Sequence, residues 1–122
     1  MTNRRMSLSS EGKEILDNLT YSLELDRPMA VKVALAKGIA MADGPVSDDF
    51  SSGTNKWVIP DGIIKDREFV LFKHLIINEI QKPLDEEQLH KHMLSFIEKG
   101  LRILIQELDN KTSMEDVRLA IL

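Results

Sequence analysis

The chain reads as an all-α fold: a compact bundle of about five helices, with room for one short N-terminal strand of the ribbon-helix-helix kind. Three observations lead there. Helix start signals recur along the 122 residues, at Ser9-Ser10, Asp26-Arg27-Pro28, Asp66, Asp85 and Thr112-Ser113. Each offers a side-chain oxygen to the free N–H groups of a first turn, or a proline where its missing N–H does no harm. The apolar residues that follow are spaced three and four apart, the period of a helix face. Strand-like alternation is short, at Met6-Ser7-Leu8. A chain of this length forms one domain, spanning residues 1–122.

The elements follow in order. After Arg4-Arg5 and the short extended piece, Ser9-Ser10 open a helix with Ile15, Leu16, Leu19 and Leu23 on one face. Asp26 and Pro28 open a second helix, rich in Ala and Val from 29 to 41 and ending near Gly44-Pro45. Residues 43–66 form a long loop, punctuated by Gly44-Pro45, Ser51-Ser52-Gly53 and Pro60-Asp61-Gly62. Within it, Trp57-Val58-Ile59 is an apolar insert that docks as an edge strand or an anchor. Asp66 caps a third helix, in which seven of the nine residues 69–77 are apolar. At about 100° per residue they point all around the axis, so this helix is expected to be central in the subunit or the oligomer.

Pro83 ends that helix, and Asp85, with Glu86 and Glu87 against the positive end of the dipole, opens a fourth. It runs to about Asp109, roughly 37 Å at 1.5 Å per residue. Leu89, Met93, Leu94, Phe96, Ile97, Leu101, Ile103, Leu104, Ile105 and Leu108 cover an arc of about 200°. One neighbouring layer buries roughly half of that, so a second layer from another subunit is expected. Gly100 permits a close helix crossing. Thr112-Ser113 cap a last short helix over 114–121.

Composition narrows the chemistry. There is no cysteine, which removes disulfides, thiolate metal sites and sulfur carriage on the chain itself. Aromatics are 5% of residues, so the core is aliphatic, and small aliphatic cores are often completed by oligomerisation. No apolar run reaches the ~20 residues of a bilayer span, and the basic N-terminus lacks a signal-peptide core. The expectation is a soluble cytoplasmic protein with no membrane partner.

No catalytic motif is complete, so no enzyme activity, cofactor or metal is expected. Gly53-Thr54-Asn55-Lys56 lacks the spacing and context of a phosphate loop. His90 and His92 lie about 200° apart on a helix and cannot chelate one ion. Glu86 and His90 could share one, but a third ligand is missing. His90 is read as a core or interface histidine. Glu107, also on the apolar arc, is read as half of a salt bridge across a subunit boundary.

Net charge is −4, and its distribution matters more than its total. Residues 1–42 carry six basic and five acidic side chains; residues 83–122 carry five and eight. The only set able to meet phosphates is Arg4, Arg5, Lys13, Arg27, Lys32 and Lys37 around the first two helices, with Lys56, Lys65 and Arg67 around the loop. No base-reading cluster of aromatics or amides accompanies them, which points to backbone contact.

The opening Arg5-Met6-Ser7-Leu8-Ser9-Ser10-Glu11-Gly12-Lys13-Glu14, the Arg27-Pro28 start with its Ala/Val run, and Arg67-Glu68-Phe69 together resemble the DndE family of DNA sulfur-modification proteins. The resemblance covers nearly the whole chain. It implies a small helical fold, a tetrameric assembly, and binding of double-stranded DNA, nicked DNA in particular, through a lysine-bearing surface. It also implies work alongside other Dnd phosphorothioation proteins, a sulfur-transferring reductase-like component and an ATPase. The expected function is therefore an accessory, homo-oligomeric DNA-binding subunit. The alternative is a ribbon-helix-helix-like transcriptional regulator or a protein-interaction scaffold, in which N-terminal strands of two subunits pair.

Overall fold

The computed structural model describes residues 6–46, 50, 57–60 and 62–110. In chain order the elements are β1 (Ser7–Leu8), α1 (Ser10–Leu23), α2 (Arg27–Ala40), β2 (Trp57–Val58), α3 (Asp66–Ile80) and α4 (Glu86–Asp109). Four helices therefore stand among the described residues; the expected fifth, over 114–121, lies outside them. The protein is mainly helical, with one two-stranded antiparallel sheet in which Ser7 pairs with Val58 and Leu8 with Trp57.

The expected caps form. The Ser9 hydroxyl accepts from the Gly12 N–H at 2.9 Å, Asp26 from Met29 at 2.8 Å, and Asp85 from Gln88 at 2.7 Å. The third helix starts one residue earlier than expected. Asp66 is its first helical residue and Lys65 holds the cap position, its N–H taken by the Glu68 carboxylate at 3.0 Å. A carboxylate reaching back from the first turn satisfies an orphan donor and suits the positive end of the dipole.

The core is organised around α2 and α4. At their crossing Gly38 and Gly100 carry no side chain because there is no room for one. A methyl group on Gly100 would run into the Ala34 carbonyl oxygen, and one on Gly38 into that of Phe96. The close crossing expected at Gly100 is thus present, with Gly38 as its counterpart. Around it Val31, Leu35, Met93, Phe96, Ile97 and Leu101 are fully buried.

This arrangement bears on two expectations. First, much of the wide apolar arc of α4 is covered within the subunit, because α1, α2, α3 and β1 all pack on it, while Leu94, Ile103, Ile105 and Leu108 stay half-buried. Second, α3 is peripheral in the subunit. Phe72, Ile76 and Ile80 are its buried residues, while Val70, Leu71 and Leu75 are 51%, 57% and 39% exposed. Arg67, His74 and Asn78 share this outward side, so the solvent face of α3 is mixed polar and apolar.

The N-terminal strand is also committed within the chain. One edge pairs with β2, continued by the Ile59 N–H donating to the Met6 carbonyl at 2.8 Å; Leu8 is fully buried, and the Ser9 N–H donates to Glu98. The edge given to β2 is therefore not open to the same strand of a second subunit, whose pairing the ribbon-helix-helix alternative requires. The apolar insert of the loop is the strand that β1 pairs with, and Ile59 and Ile63 anchor it in the core.

Candidate nucleic-acid interface

Six of the nine candidate cations lie within the described residues; Arg4, Arg5 and Lys56 lie outside them. Four of the six are already paired. Asp17 on α1 receives Lys13 from one helical turn away at 2.9 Å and Arg27, at the start of α2, also at 2.9 Å. The Arg27 guanidinium lies 5.8 Å from the Trp57 ring centroid, so α1, α2 and β2 meet at one cation. Lys32 reaches across to Glu68 on α3 at 3.0 Å. Lys37 reaches Glu107 on α4 at 2.7 Å. Glu107 thus forms a salt bridge within the chain, where a bridge between subunits was expected. Lys65 and Arg67 are exposed and form no direct ion pair among the described residues.

These contacts shift the carboxylates. The hydrogen bond from Lys13 holds Asp17 below the usual carboxylate range, with Arg27 adding to it. The Lys65 backbone N–H, then Lys32, holds Glu68 low, and the Lys65 charge contributes. Both stay ionised at neutral pH and stand beside the cations meant to meet phosphate. Any phosphate at Arg27 or Lys32 must displace or share with a carboxylate, which weakens each contact.

The fold brings part of the set together and leaves the rest apart. Lys32 and Lys65, 33 positions apart in sequence, line one shallow groove with Asp26, Pro28, Met29 and Ile63. Arg27 adjoins it at the start of α2, and Arg67 follows Lys65 at the start of α3. The groove lies at the N-terminal ends of two helices, where the dipoles favour anions, an effect Asp26, Asp66 and Glu68 partly offset. Lys13 joins this group through Asp17. Lys37, turned toward α4, does not.

Sequence reasoning missed an elaborate polar cluster among the described residues. Glu98 is 2% exposed. Its carboxylate accepts from the Ser9 N–H at 2.7 Å, the Ser9 hydroxyl at 3.0 Å and Arg102 at 2.9 Å. Arg102 also donates to Glu11 through Nε at 3.0 Å and Nη2 at 2.5 Å, and its guanidinium lies 4.3 Å from the Phe50 ring centroid. Gly12 leaves the space for the Glu98 oxygen that a methyl group would occupy. Ser9, Glu11 and Gly12 of the opening motif therefore latch β1 and α1 to α4. The readable signal was Glu98 itself, a charge at the edge of the apolar arc with an arginine four residues on.

The histidines do not gather. His90 contacts its own helix through Nδ1 and the Glu86 carbonyl at 2.8 Å, and its ring lies 5.8 Å from that of Phe69. Burial, with Lys82 and Lys91 nearby, pushes the His92 imidazole below its ordinary value. Among the described residues no cluster of three His, Asp or Glu side chains is arranged to hold a metal ion, and no helix is long and apolar enough to cross a membrane. Comparison with protein-family models, curated proteins and solved structures returned no match.

Proposed function

We propose that this protein is a non-enzymatic, homo-oligomeric accessory subunit of a DNA phosphorothioation machinery. It holds double-stranded DNA by its backbone, nicked duplex in particular, beside sulfur-transferring reductase-like and ATPase components. The observation that carries this reading is the groove at the N-terminal ends of α2 and α3, where Lys32 and Lys65 come together from two stretches of sequence, with Arg27 and Arg67 at the starts of the two helices. Cations from both helices around a shallow, open groove suit a phosphate chain better than an enclosed small molecule. The resemblance to the DndE family supports the same assignment, and the lack of cysteine leaves sulfur carriage to the partners.

The test is a titration of nicked and intact duplex at several salt concentrations. Binding should weaken steeply with salt, because each neutralised phosphate releases counterions. Salt-insensitive binding, or none at low salt, overturns the reading. The pairing of Lys13, Arg27, Lys32 and Lys37 with carboxylates favours the second reading, a protein-interaction scaffold, which predicts no DNA binding.

A further inference from the structure

The outward face of α2 presents no polar side chain. On α1 the exposed crest is Glu11, Glu14, Asn18 and Tyr21; on α3 the exposed Arg67, His74 and Asn78 are flanked by the exposed Val70 and Leu71. On α4 it includes Glu87, Lys91 and Gln106. On α2 it is Met29, Ala36 and Ala40, with the half-buried Val33 between them; the four fall within about 60° of one another and include no polar side chain. The inner face of the same helix, from Ala30 to Ile39, is buried. Thus α2 has two apolar faces, one buried and one turned to solvent, with Lys32 and Lys37 along the borders between them.

The borders of this stripe are charged but neutralised. Lys32–Glu68 runs along the α3 side and Lys37–Glu107 along the α4 side. Beyond the first border, Leu71 and Leu75 stand 57% and 39% exposed on α3, and Met41, 61% exposed, follows the C-terminal end of α2. A 14-residue helix is about 21 Å long, and with half of a neighbour about 10 Å away it offers an apolar footprint on the order of 400 Å². That is in the range of the largest patches monomers expose, and it suffices for the apolar centre of an interface burying about 800 Å² per partner.

We propose that this face is where two copies of the chain pack, α2 against α2 in antiparallel sense about a two-fold axis. The proposal rests on the homo-oligomeric part of the proposed function and is independent of DNA. The stripe is self-complementary in size. An antiparallel pair centred between residues 34 and 35 sets Met29 against Ala40 of the other copy and Val33 against Ala36, so each large side chain meets a small one. A two-fold interface must present the same patch to itself, and an uncharged stripe does so without opposing like charges. The symmetry keeps both Lys32–Glu68 pairs on one border and both Lys37–Glu107 pairs on the other. It therefore also brings Leu71, Leu75 and the Lys32–Lys65 groove of the two copies onto one side of the assembly.

Sedimentation velocity on the full chain tests this. The unsubstituted protein should sediment as a dimer or a multiple of one. Ala36→Glu places a charge on an exposed helical position, four residues after Lys32, where the single subunit tolerates it. It should weaken association by about a hundredfold or more while leaving the circular-dichroism melt of the dissociated chain intact. Ala36→Val should weaken association through overfilling, and adding Val33→Ala should restore it by exchanging large for small. Tyr21→Glu, on the crest of α1, should leave the mass unchanged. A monomeric unsubstituted chain overturns the assembly reading and this surface together, whatever the DNA titration shows. An oligomer indifferent to Ala36→Glu, or one equally broken by Tyr21→Glu, overturns the surface alone.

Discussion

Helices α2 and α3 are of nearly equal length, 14 and 15 residues, and both are rich in apolar side chains, yet they occupy opposite positions in the fold. The larger aliphatic and aromatic side chains belong to α3, which lies at the edge. Helix α2 is built from Ala, Val and Gly with few large residues, and it lies at the centre. What separates them is the approach distance each permits. Ala34 and Gly38 let the α2 backbone come against that of α4 at Gly100, whereas Phe72, Ile76 and Ile80 hold α3 off at side-chain length. Dispersion falls steeply with separation, so the closer pair gains more contact per residue.

The largest effects should come from spoiling that approach. Gly100→Ala ordinarily gains up to about 1 kcal/mol of helix propensity. Here the new methyl group meets the Ala34 carbonyl, backbone that cannot swing away. A loss of about 3 kcal/mol is expected, and Gly38→Ala should behave alike. Leu71→Ala on α3, by contrast, should change subunit stability by less than about 0.5 kcal/mol, because the side chain is mostly exposed. Urea unfolding of the three variants decides the matter; a tolerated Gly100→Ala would mean that the α2–α4 crossing is looser than described.

Next in size is the latch that fixes β1 and α1 onto α4. Glu98→Gln keeps the shape but removes the charge that Arg102 faces and leaves one oxygen to serve the Ser9 N–H and hydroxyl. A cost of about 2 kcal/mol is expected. The first amides to lose hydrogen-exchange protection should be those of β1 and early α1, while the α2–α4 centre stays protected. Equal loss of protection throughout would show that the latch and the crossing are one cooperative unit.

These cases explain what the sequence disclosed. Ser9, Asp26 and Asp85 were legible as caps because a cap and its N–H partner lie three residues apart. Gly100 was legible because a glycine inside a long helix asks for a reason. The pairing of residues 7–8 with 57–58, and of Glu98 with Ser9, joins positions about 50 and 89 apart, and no local period announces it. The same distance hid the state of the cations. Lys32 and Lys37 look free along the chain because their carboxylates, Glu68 and Glu107, lie 36 and 70 positions on. The candidate site was therefore legible as a list of positive residues but not as a charge balance.

That balance gives an affinity prediction at the border between α2 and α3. Lys65→Ala removes an exposed cation without orphaning a partner, and should reduce the salt slope of DNA binding by about 1. Glu68→Gln releases Lys32 and removes a negative charge from the groove, so it should strengthen binding by about twofold. Loss of affinity on Glu68→Gln would mean that the carboxylate positions Lys32 for phosphate instead of competing for it.

The smallest effects are those of pH, and they separate the two helices again. Asp17 ties α1 to the start of α2, and Glu68 ties α2 to α3; both are held below the usual carboxylate range by hydrogen bonds from Lys13 and from the Lys65 N–H respectively. A carboxylate with a lowered folded value contributes stability that is complete above its unfolded value, near 4, and fades as pH falls through the folded one. Both groups are largely solvated, so the decline below pH 4 should be shallow. His92, on α4 beyond the end of α3, is lowered chiefly by burial and further by Lys82 and Lys91. Its neutral form is the one the fold prefers. Stability should therefore begin to fall as pH drops through about 6.5, where the unfolded chain takes up the proton first, and should level off once the folded imidazole is charged. Urea midpoints measured from pH 7.5 to 3.5 should show two separate declines. His92→Gln should erase the upper one and leave the lower. If the upper decline survives His92→Gln, the joint between α3 and α4 is not where the fold resists protonation.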